Sequence, residues 1–279
     1  MSKNLMLNCP IDGLILECDN NSLKCAHGHS YDKAKQGYIN LLTVQNKRSK
    51  SPGDSKEMVA ARQSFLASNI YKPISEKINQ VALSHTETLA TNILDAGCGE
   101  GYYLTQLEQA AKKEELETNL LGLDISKFAI QAAAKKSKNI QWLVASNRQI
   151  PIADQSLDLI LCIFGFPVFS EFKQKLTTNG KILLVESAEN HLIELRELIY
   201  PEIKPYQQNN YQEALDLGLT WGKSDTLSYQ VELNKEQLAE LLIMTPHIHR
   251  ANREKLEQVK KLDKLALTIN VNFRLLQIK

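Results

Sequence analysis

At 279 residues the chain is long enough for one full α/β domain and a smaller satellite unit. Its 23% charged and 43% hydrophobic residues are those of an ordinary soluble globular protein, and a net charge of only +1 excludes a strong whole-molecule field, so a polyanionic partner must be met by a local basic patch. No apolar run approaches the ~20 residues of a membrane span and the N-terminus lacks a signal-peptide core, which excludes a membrane partner and points to a cytoplasmic protein.

Three sections follow one another without an internal repeat. Residues 1–42 are rich in Cys, His, Gly and Asn, and three of the five cysteines (Cys9, Cys18, Cys25) fall there. An odd cysteine count clustered at one end of a cytoplasmic chain reads as a metal site before it reads as a disulfide framework. Residues 14–18 and 23–25 flank the turn cluster Asp19-Asn20-Asn21-Ser22 and predict a hairpin. Cys9-Pro10-Ile11-Asp12 and Cys25-Ala26-His27-Gly28-His29 have the form of a zinc-knuckle pair lacking one cysteine. Structural zinc takes four ligands in a tetrahedron, usually as two short-spaced pairs, and here Cys9 and Asp12 hold one pair's positions and Cys25 and His29 the other's. Asp12 can bind through oxygen, or Cys18 or His27 can supply the fourth ligand. Alternatively, the hairpin folds without Zn2+ by packing Leu14, Leu16 and Leu23 on the larger domain.

Residues 43–54 form a polar, basic linker broken by Pro52-Gly53. Its Lys47, Arg48 and Lys50 are either phosphate contacts or a solvated run. A helix is expected after Asp54, which can cap it with Glu57 three residues on, and Met58, Ala61, Arg62, Phe65 and Leu66 follow at helical spacing.

From residue 92 strands and helices alternate. Strands are predicted at 92–95, 120–124, 140–145, 157–163 and 181–186, with helices at 103–116 and 127–136. Segments 226–233 and 267–279 form an antiparallel closing pair separated by a helix at 236–244, giving a mainly parallel seven-stranded sheet in a domain spanning 55–279.

The run Ile93-Leu94-Asp95-Ala96-Gly97-Cys98-Gly99-Glu100-Gly101 is a strand that enters a glycine turn and opens a helix. Gly97, Gly99 and Gly101 allow positive-φ geometry and close approach of a ligand to the backbone. Dinucleotide-binding enzymes also use such a turn. Here the last glycine comes one residue early for that fingerprint, and Asp95 would repel a pyrophosphate but suits an amino-acid ammonium. A second strand ends in Asp124, which can bind both hydroxyls of a ribose. The ligand read from these features is S-adenosyl-L-methionine on a class I, Rossmann-like methyltransferase fold. Ile150-Pro151 and the run from Asp154 to Ile160 resemble the acidic loop and fourth strand of that class. Cys98 is read as a small buried filler, and Asp158 either orients its turn or touches ligand.

Taken with the N-terminal module, the chain resembles the bacterial 23S ribosomal RNA (guanine-N1)-methyltransferases over nearly its full length. The resemblance is carried by Cys9-Pro10, Cys25, His29, residues 31–42, Pro52-Gly53-Asp54-Ser55, Ala61-Arg62, Tyr71-Lys72-Pro73, Cys98 to Tyr103, Asp124 to Lys127, His191-Leu192 and Met244-Thr245-Pro246. It implies a zinc-ribbon-like RNA-recognition module, methyl transfer to N1 of one guanine in 23S ribosomal RNA, and a homodimer. It also implies that Tyr71 and His191 line the cofactor pocket beside Gly101, Tyr102 and Asp124. Without it, Tyr71 would be an aromatic anchor at a helix end and His191 a helix cap. Family members have a cysteine where this chain has Asp12. The segment Phe164-Gly165-Phe166-Pro167 either offers stacking faces to the target base or belongs to the core. Two other functions remain compatible with the same core: methylation of a small molecule, and cofactor binding without turnover.

Overall fold

The computed structural model describes residues 5–46, 49, 51–85, 90–245 and 251–279. Three short strands, β1 (Glu17–Asp19), β2 (Ser22–Lys24) and β3 (Ser30–Asp32), form an antiparallel sheet in the N-terminal section. Cys18 pairs with Leu23 in its first hairpin, whose turn places Asn20 at φ 55°, a conformation that asparagine tolerates.

After β4 (Ile39–Asn40) come the helices α1 (Lys56–Ala67) and α2 (Lys72–Leu83). The cap of α1 is Ser55, whose Oγ accepts from the Met58 amide at 3.2 Å, and not the expected Asp54. Asp54 is instead drawn off by an ion pair with Arg62 two turns along the helix.

The alternation then runs β5 (Thr91–Ala96), α3 (Tyr102–Lys113), β6 (Thr118–Asp124), α4 (Lys127–Lys136), β7 (Gln141–Val144), β8 (Leu157–Ile163), α5 (Phe169–Lys175) and β9 (Leu176–Ser187). It closes with α6 (Ile193–Ile199), α7 (Gln212–Asp216), β10 (Leu219–Asn234), α8 (Lys235–Met244), α9 (Arg253–Val259) and β11 (Lys264–Ile278). Strand order is β10-β11-β9-β8-β5-β6-β7-β4. Neighbours from β4 to β9 are parallel, and β11 runs antiparallel to both β9 and β10. The seven expected strands are present. An eighth, β4, comes from the N-terminal section and pairs Ile39 with Leu143 and Asn40 with Val144. Its two residues carry too little periodicity to be read locally.

The chain leaves β5 towards β6 and β7, then returns to the opposite side of β5 with β8. This reversal opens a crevice beyond the carboxyl ends of β5 and β8, where open α/β sheets bind ligands. One face of the sheet is covered by a core containing Phe65, Ile74, Leu104, Ile130 and Trp142, and the other by one containing Phe169, Phe172, Leu143 and Ile152. Cys9, Leu16 and Cys25 belong to this second core, so the N-terminal module is packed against the large sheet. No helix among the described residues is long and apolar enough to cross a membrane.

Gly122, in the middle of β6, faces Trp142: a Cβ there would lie 2.3 Å from the indole ring. Gly122→Ala should therefore cost about 1–3 kcal/mol through overpacking, read as a lower urea midpoint at unchanged slope. Gly13→Ala, where nothing lies within 4 Å, should lose only the roughly 1–2 kcal/mol of its left-handed backbone. Equal stability of Gly122→Ala and the parent would remove this packing argument.

Candidate functional site

Beyond β5 the glycines at 97, 99 and 101 have φ of 96°, 54° and 80°, all in the left-handed region. The amides of Gly97 and Cys98 both donate to the Leu123 carbonyl, at 2.9 and 3.0 Å, which ties the turn to the end of β6. Gly101 starts α3 and lies against Trp142 and Ala133, where a Cβ would come within 2.7 and 2.8 Å. Tyr102 follows as a buried first-turn residue and packs edge-on to Tyr103.

Two carboxylates meet this turn. Asp95 is 1% exposed and neither of its oxygens has a hydrogen-bond partner. Burial, with the nearby charge of Asp124, pushes its carboxyl up to about 8. A buried acid without a partner is destabilising alone and is suited to a cationic group brought by a ligand. Asp124 accepts from the Gly99 amide at 3.0 Å through Oδ2 and from the Ser126 amide at 2.7 Å through Oδ1. Burial raises its pKa against the opposing pull of those two amides. Each oxygen retains a further lone pair that can accept from a ribose hydroxyl. The orphaned Asp95 and the open glycine cradle thus fit S-adenosyl-L-methionine, which supplies an electrophilic methyl group when bound.

On the far side of the crevice Tyr71, Phe164 and His191 form an aromatic group, with centroids 6.0–6.3 Å apart. Tyr71 Oη lies 3.5 Å from His191 Nε2, and His191 Nδ1 accepts from the Asn270 amide at 3.2 Å. In the neutral imidazole that bond places the proton on Nε2. Tyr71 stands at the cap of α2, so its reading as an aromatic anchor at a helix end coexists with membership of this group. The helix-cap reading of His191 falls, because the cap of α6 is Leu192 without a side-chain bond and the His191 ring is bonded to the Asn270 amide. The segment after β8 reaches the end of β5, since a Cβ on Gly165 would lie 3.5 Å from the Ala96 carbonyl. Phe164 is 40% exposed and Phe166 88%, which overturns the core alternative for this pair. Cys98 is buried and its thiol is pushed up by burial, as befits a filler. Asp158 accepts from the Asn92 amide and the Thr177 hydroxyl near the start of β8, far from the glycine turn, so its ligand reading falls.

Three residues given no role at the site by the sequence complete it. Trp142 supports the turn from below. Asn147 donates to the carbonyls of Ala96 at 3.3 Å and Phe166 at 3.4 Å, joining the ends of two strands. Arg62 places Nη1 3.5 Å from the position of a Cβ on Gly99. Only Asn147 left a usable signal, its place just after a strand in an alternating α/β pattern.

In the N-terminal module Cys9, Asp12, Cys25 and His29 converge, with one ligand atom of each within 4.8 Å of the others. His29 Nδ1 is 3.0 Å from Asp12 Oδ2, 3.4 Å from Cys25 Sγ and 3.5 Å from Cys9 Sγ. Tetrahedral zinc, with bonds of about 2.0–2.3 Å, requires ligand separations of this order. The donor set fits Zn2+ with Asp12 in the place of a cysteine. Cys18 is exposed in β1, outside the group. His27 is also outside the group, its Nδ1 lying 3.1 Å from Asp12 Oδ2, where it orients the carboxylate. Lys47, Arg48, Lys50 and Pro246 lie outside the described residues.

Residues 7–50 match the family model described as RlmA, N-terminal, and residues 93–186 match that of a methyltransferase domain. The chain is 29% identical over 276 residues to YxjB of Bacillus subtilis (strain 168), provisionally named a 23S rRNA (guanine-N(1)-)-methyltransferase, covering 96% of this chain and 95% of that one. It is 28% identical over 251 residues to the 23S rRNA (guanine(748)-N(1))-methyltransferase of Streptomyces fradiae, covering 88% and 87%. A chain from the Haloferax volcanii complex of the Trm112 methyltransferase activator with a methyltransferase superposes with a TM-score of 0.50 at 18% identity, over 82% of this chain and all of that one, and supports the fold.

Two outcomes follow from this geometry. The purified chain should hold about one zinc per molecule by elemental analysis, lost in Cys25→Ser and His29→Ala but kept in Cys18→Ser; retention in Cys25→Ser would exclude the four-ligand site. Because the folded pKa of Asp95 is raised, the native chain binds this proton more tightly than the unfolded one. Its contribution is greatest at low pH and is lost as pH rises through about 8. Asp95→Asn should therefore gain thermal stability relative to the parent, without cofactor, between about pH 5 and 8.5. A pH-independent difference would contradict the buried acid.

Proposed function

We propose that this chain, a methyltransferase built on the plan of the 23S ribosomal RNA (guanine-N1)-methyltransferases, transfers the methyl group of S-adenosyl-L-methionine to N1 of a guanine in 23S ribosomal RNA. The observation that carries this reading is the joint between ribbon and crevice. Gln149 donates to the Pro10 carbonyl at 2.7 Å and the Asn8 amide to that of Pro151 at 2.9 Å, beside the zinc knuckle. Two residues earlier in the same loop, Asn147 contacts the end of β5. The ribbon thus flanks the reaction site, which serves a macromolecular substrate; an enzyme acting on a small molecule needs no such module.

In this reading residues 1–42 are the RNA-recognition module, 43–54 the basic linker and 55–279 the S-adenosylmethionine-dependent methyltransferase domain. Asp95 meets the cofactor ammonium and Asp124 its ribose. Gly97, Gly99 and Gly101 admit its backbone contacts, while Tyr71, Tyr102 and His191 line the pocket. Cys9, Asp12, Cys25 and His29 bind zinc, and Lys47, Arg48 and Lys50 contact phosphates of the RNA. The family resemblance supports a homodimer acting in the cytoplasm.

The guanine must leave its base pair or be taken from a loop, because Watson–Crick pairing hides N1. The exposed rings of Phe164 and Phe166 offer it a stacking surface at the carboxyl end of β8. N1 attacks the methyl carbon in line as the carbon–sulfur bond breaks and its electron pair returns to sulfur, leaving S-adenosylhomocysteine. The N1 proton passes to an acceptor, and the enzyme's main contribution is alignment and exclusion of water.

The test is transfer of labelled methyl groups to ribosomal RNA from cells lacking this protein, followed by mapping of the modified base. N1-methylguanine in 23S RNA is the expected product. Label confined to small metabolites would replace this reading with the small-molecule one, and cofactor binding without label would leave a non-catalytic protein. Phe166→Ala should lower kcat/KM for RNA by roughly tenfold, as loss of one stacking platform does, with S-adenosylhomocysteine affinity unchanged.

A further inference from the structure

The acids at the crevice leave one half of the cofactor unaccounted for. An amino-acid ammonium and a ribose have partners in Asp95 and Asp124, but the amino-acid carboxylate needs a cation. Among the described residues, two cations are held at the turn by ion pairs. Lys136 is taken by Glu100, which is 1% exposed. The other is Arg62.

Arg62 projects from the middle of α1, its helix held by buried Ala61, Phe65 and Leu66. Its Nη1 is paired with the Asp54 carboxylate, and Nη2 donates to the Met244 carbonyl at 3.2 Å. These anchors fix the guanidinium beside Gly99, where the absence of a side chain keeps its path to the turn open. The side chain is 26% exposed, so one face remains accessible. A guanidinium has five N–H donors in a planar fork, and two anchors leave donors for a carboxylate.

We propose that Arg62 binds the amino-acid carboxylate of S-adenosyl-L-methionine above Gly99, with Asp54 as the residue that positions it; this rests on the reading of the crevice as the cofactor site. The arrangement also ties the linker to the cofactor. Gly53, at φ 80°, packs where a Cβ would lie 2.8 Å from Ser126 Cβ, and Ser126 Oγ donates to the Asp54 carbonyl at 2.7 Å. Ser126 is the residue whose amide holds Asp124. The chain leaving the N-terminal module therefore ends on the two groups that grip the carboxylate and the ribose.

Calorimetric binding of S-adenosylhomocysteine and of 5′-methylthioadenosine, which lacks the amino-acid part, separates the possibilities on the full-length zinc-loaded protein. Arg62→Gln should weaken S-adenosylhomocysteine roughly tenfold to hundredfold, the range for a hydrogen bond to a charged group, and leave methylthioadenosine within about twofold. Arg62→Lys should recover part of the loss, since it keeps the charge and loses the fork. Asp54→Asn should weaken S-adenosylhomocysteine alone and by less. Equal weakening of both nucleosides in Arg62→Gln, or weakening of neither, overturns the carboxylate role, and the thermal midpoint of each variant shows whether it has folded. If the unaltered chain binds neither nucleoside, the cofactor reading itself falls, a result distinct from a variant that binds both like the parent.

Discussion

The indole of Trp142 fills the space that two glycines leave open, and the geometry of the crevice depends on that fit. Gly101 approaches it from the start of α3, where Ala133 of α4 also closes on that glycine, and Gly122 approaches it from β6, while its Nε1 donates to the Ser137 carbonyl at 3.0 Å. A buried tryptophan brings about 150–250 Å² of contact surface, so a single side chain from β7 sets how closely the helix start, the second strand and the following helix approach. With that distance set, the amides of Gly97 and Cys98 reach Leu123 and the Gly99 amide reaches Asp124. The Asp124 carboxylate is thereby positioned by the glycine turn itself.

Charge around this scaffold is arranged at a cost to the folded chain. Asp95 is buried without a partner, and Glu100 is buried with one oxygen on Lys136 and the other unpaired. Such groups oppose folding and persist where a bound ligand or a specific function compensates. In the proposed reading the cationic cofactor would compensate Asp95, and the acid that weakens the empty chain would then favour a sulfonium amino acid over a pyrophosphate.

The loop at residues 147–151 joins the N-terminal module to this site. Its outer half holds Pro10 and Asn8 beside the Cys9, Asp12, Cys25 and His29 cluster, and Asn147 in its inner half holds the ends of β5 and β8. Strand β4 extends the contact along the edge of the sheet. Aspartate in this position would offer a metal a harder ligand than cysteine, and the cluster holds together around it because His27 and His29 both bond the Asp12 carboxylate.

Patterns that depend on near neighbours in the chain could be read without a structure. Alternating strands and helices, three glycines after an acid and a second strand ending in Asp124 follow from periodicity and backbone conformation, and the Cys9/Asp12 and Cys25/His29 pairs from ligand type and spacing. The cap of α1 was misplaced by one residue because Asp54 is claimed by Arg62 across two turns. Strands β10 and β11 run longer than their alternation suggests because each completes the other's ladder, from Leu219 opposite Ile278 to Asn234 opposite Lys264. Tertiary structure alone decided that Trp142 lies under the glycines, that Phe164 and Phe166 face outward, and that Arg62 stands over Gly99 while bonded to Met244. Local sequence encodes which conformations a segment can adopt, whereas contacts between residues as far apart as Arg62 and Met244 are set by the packing of whole elements.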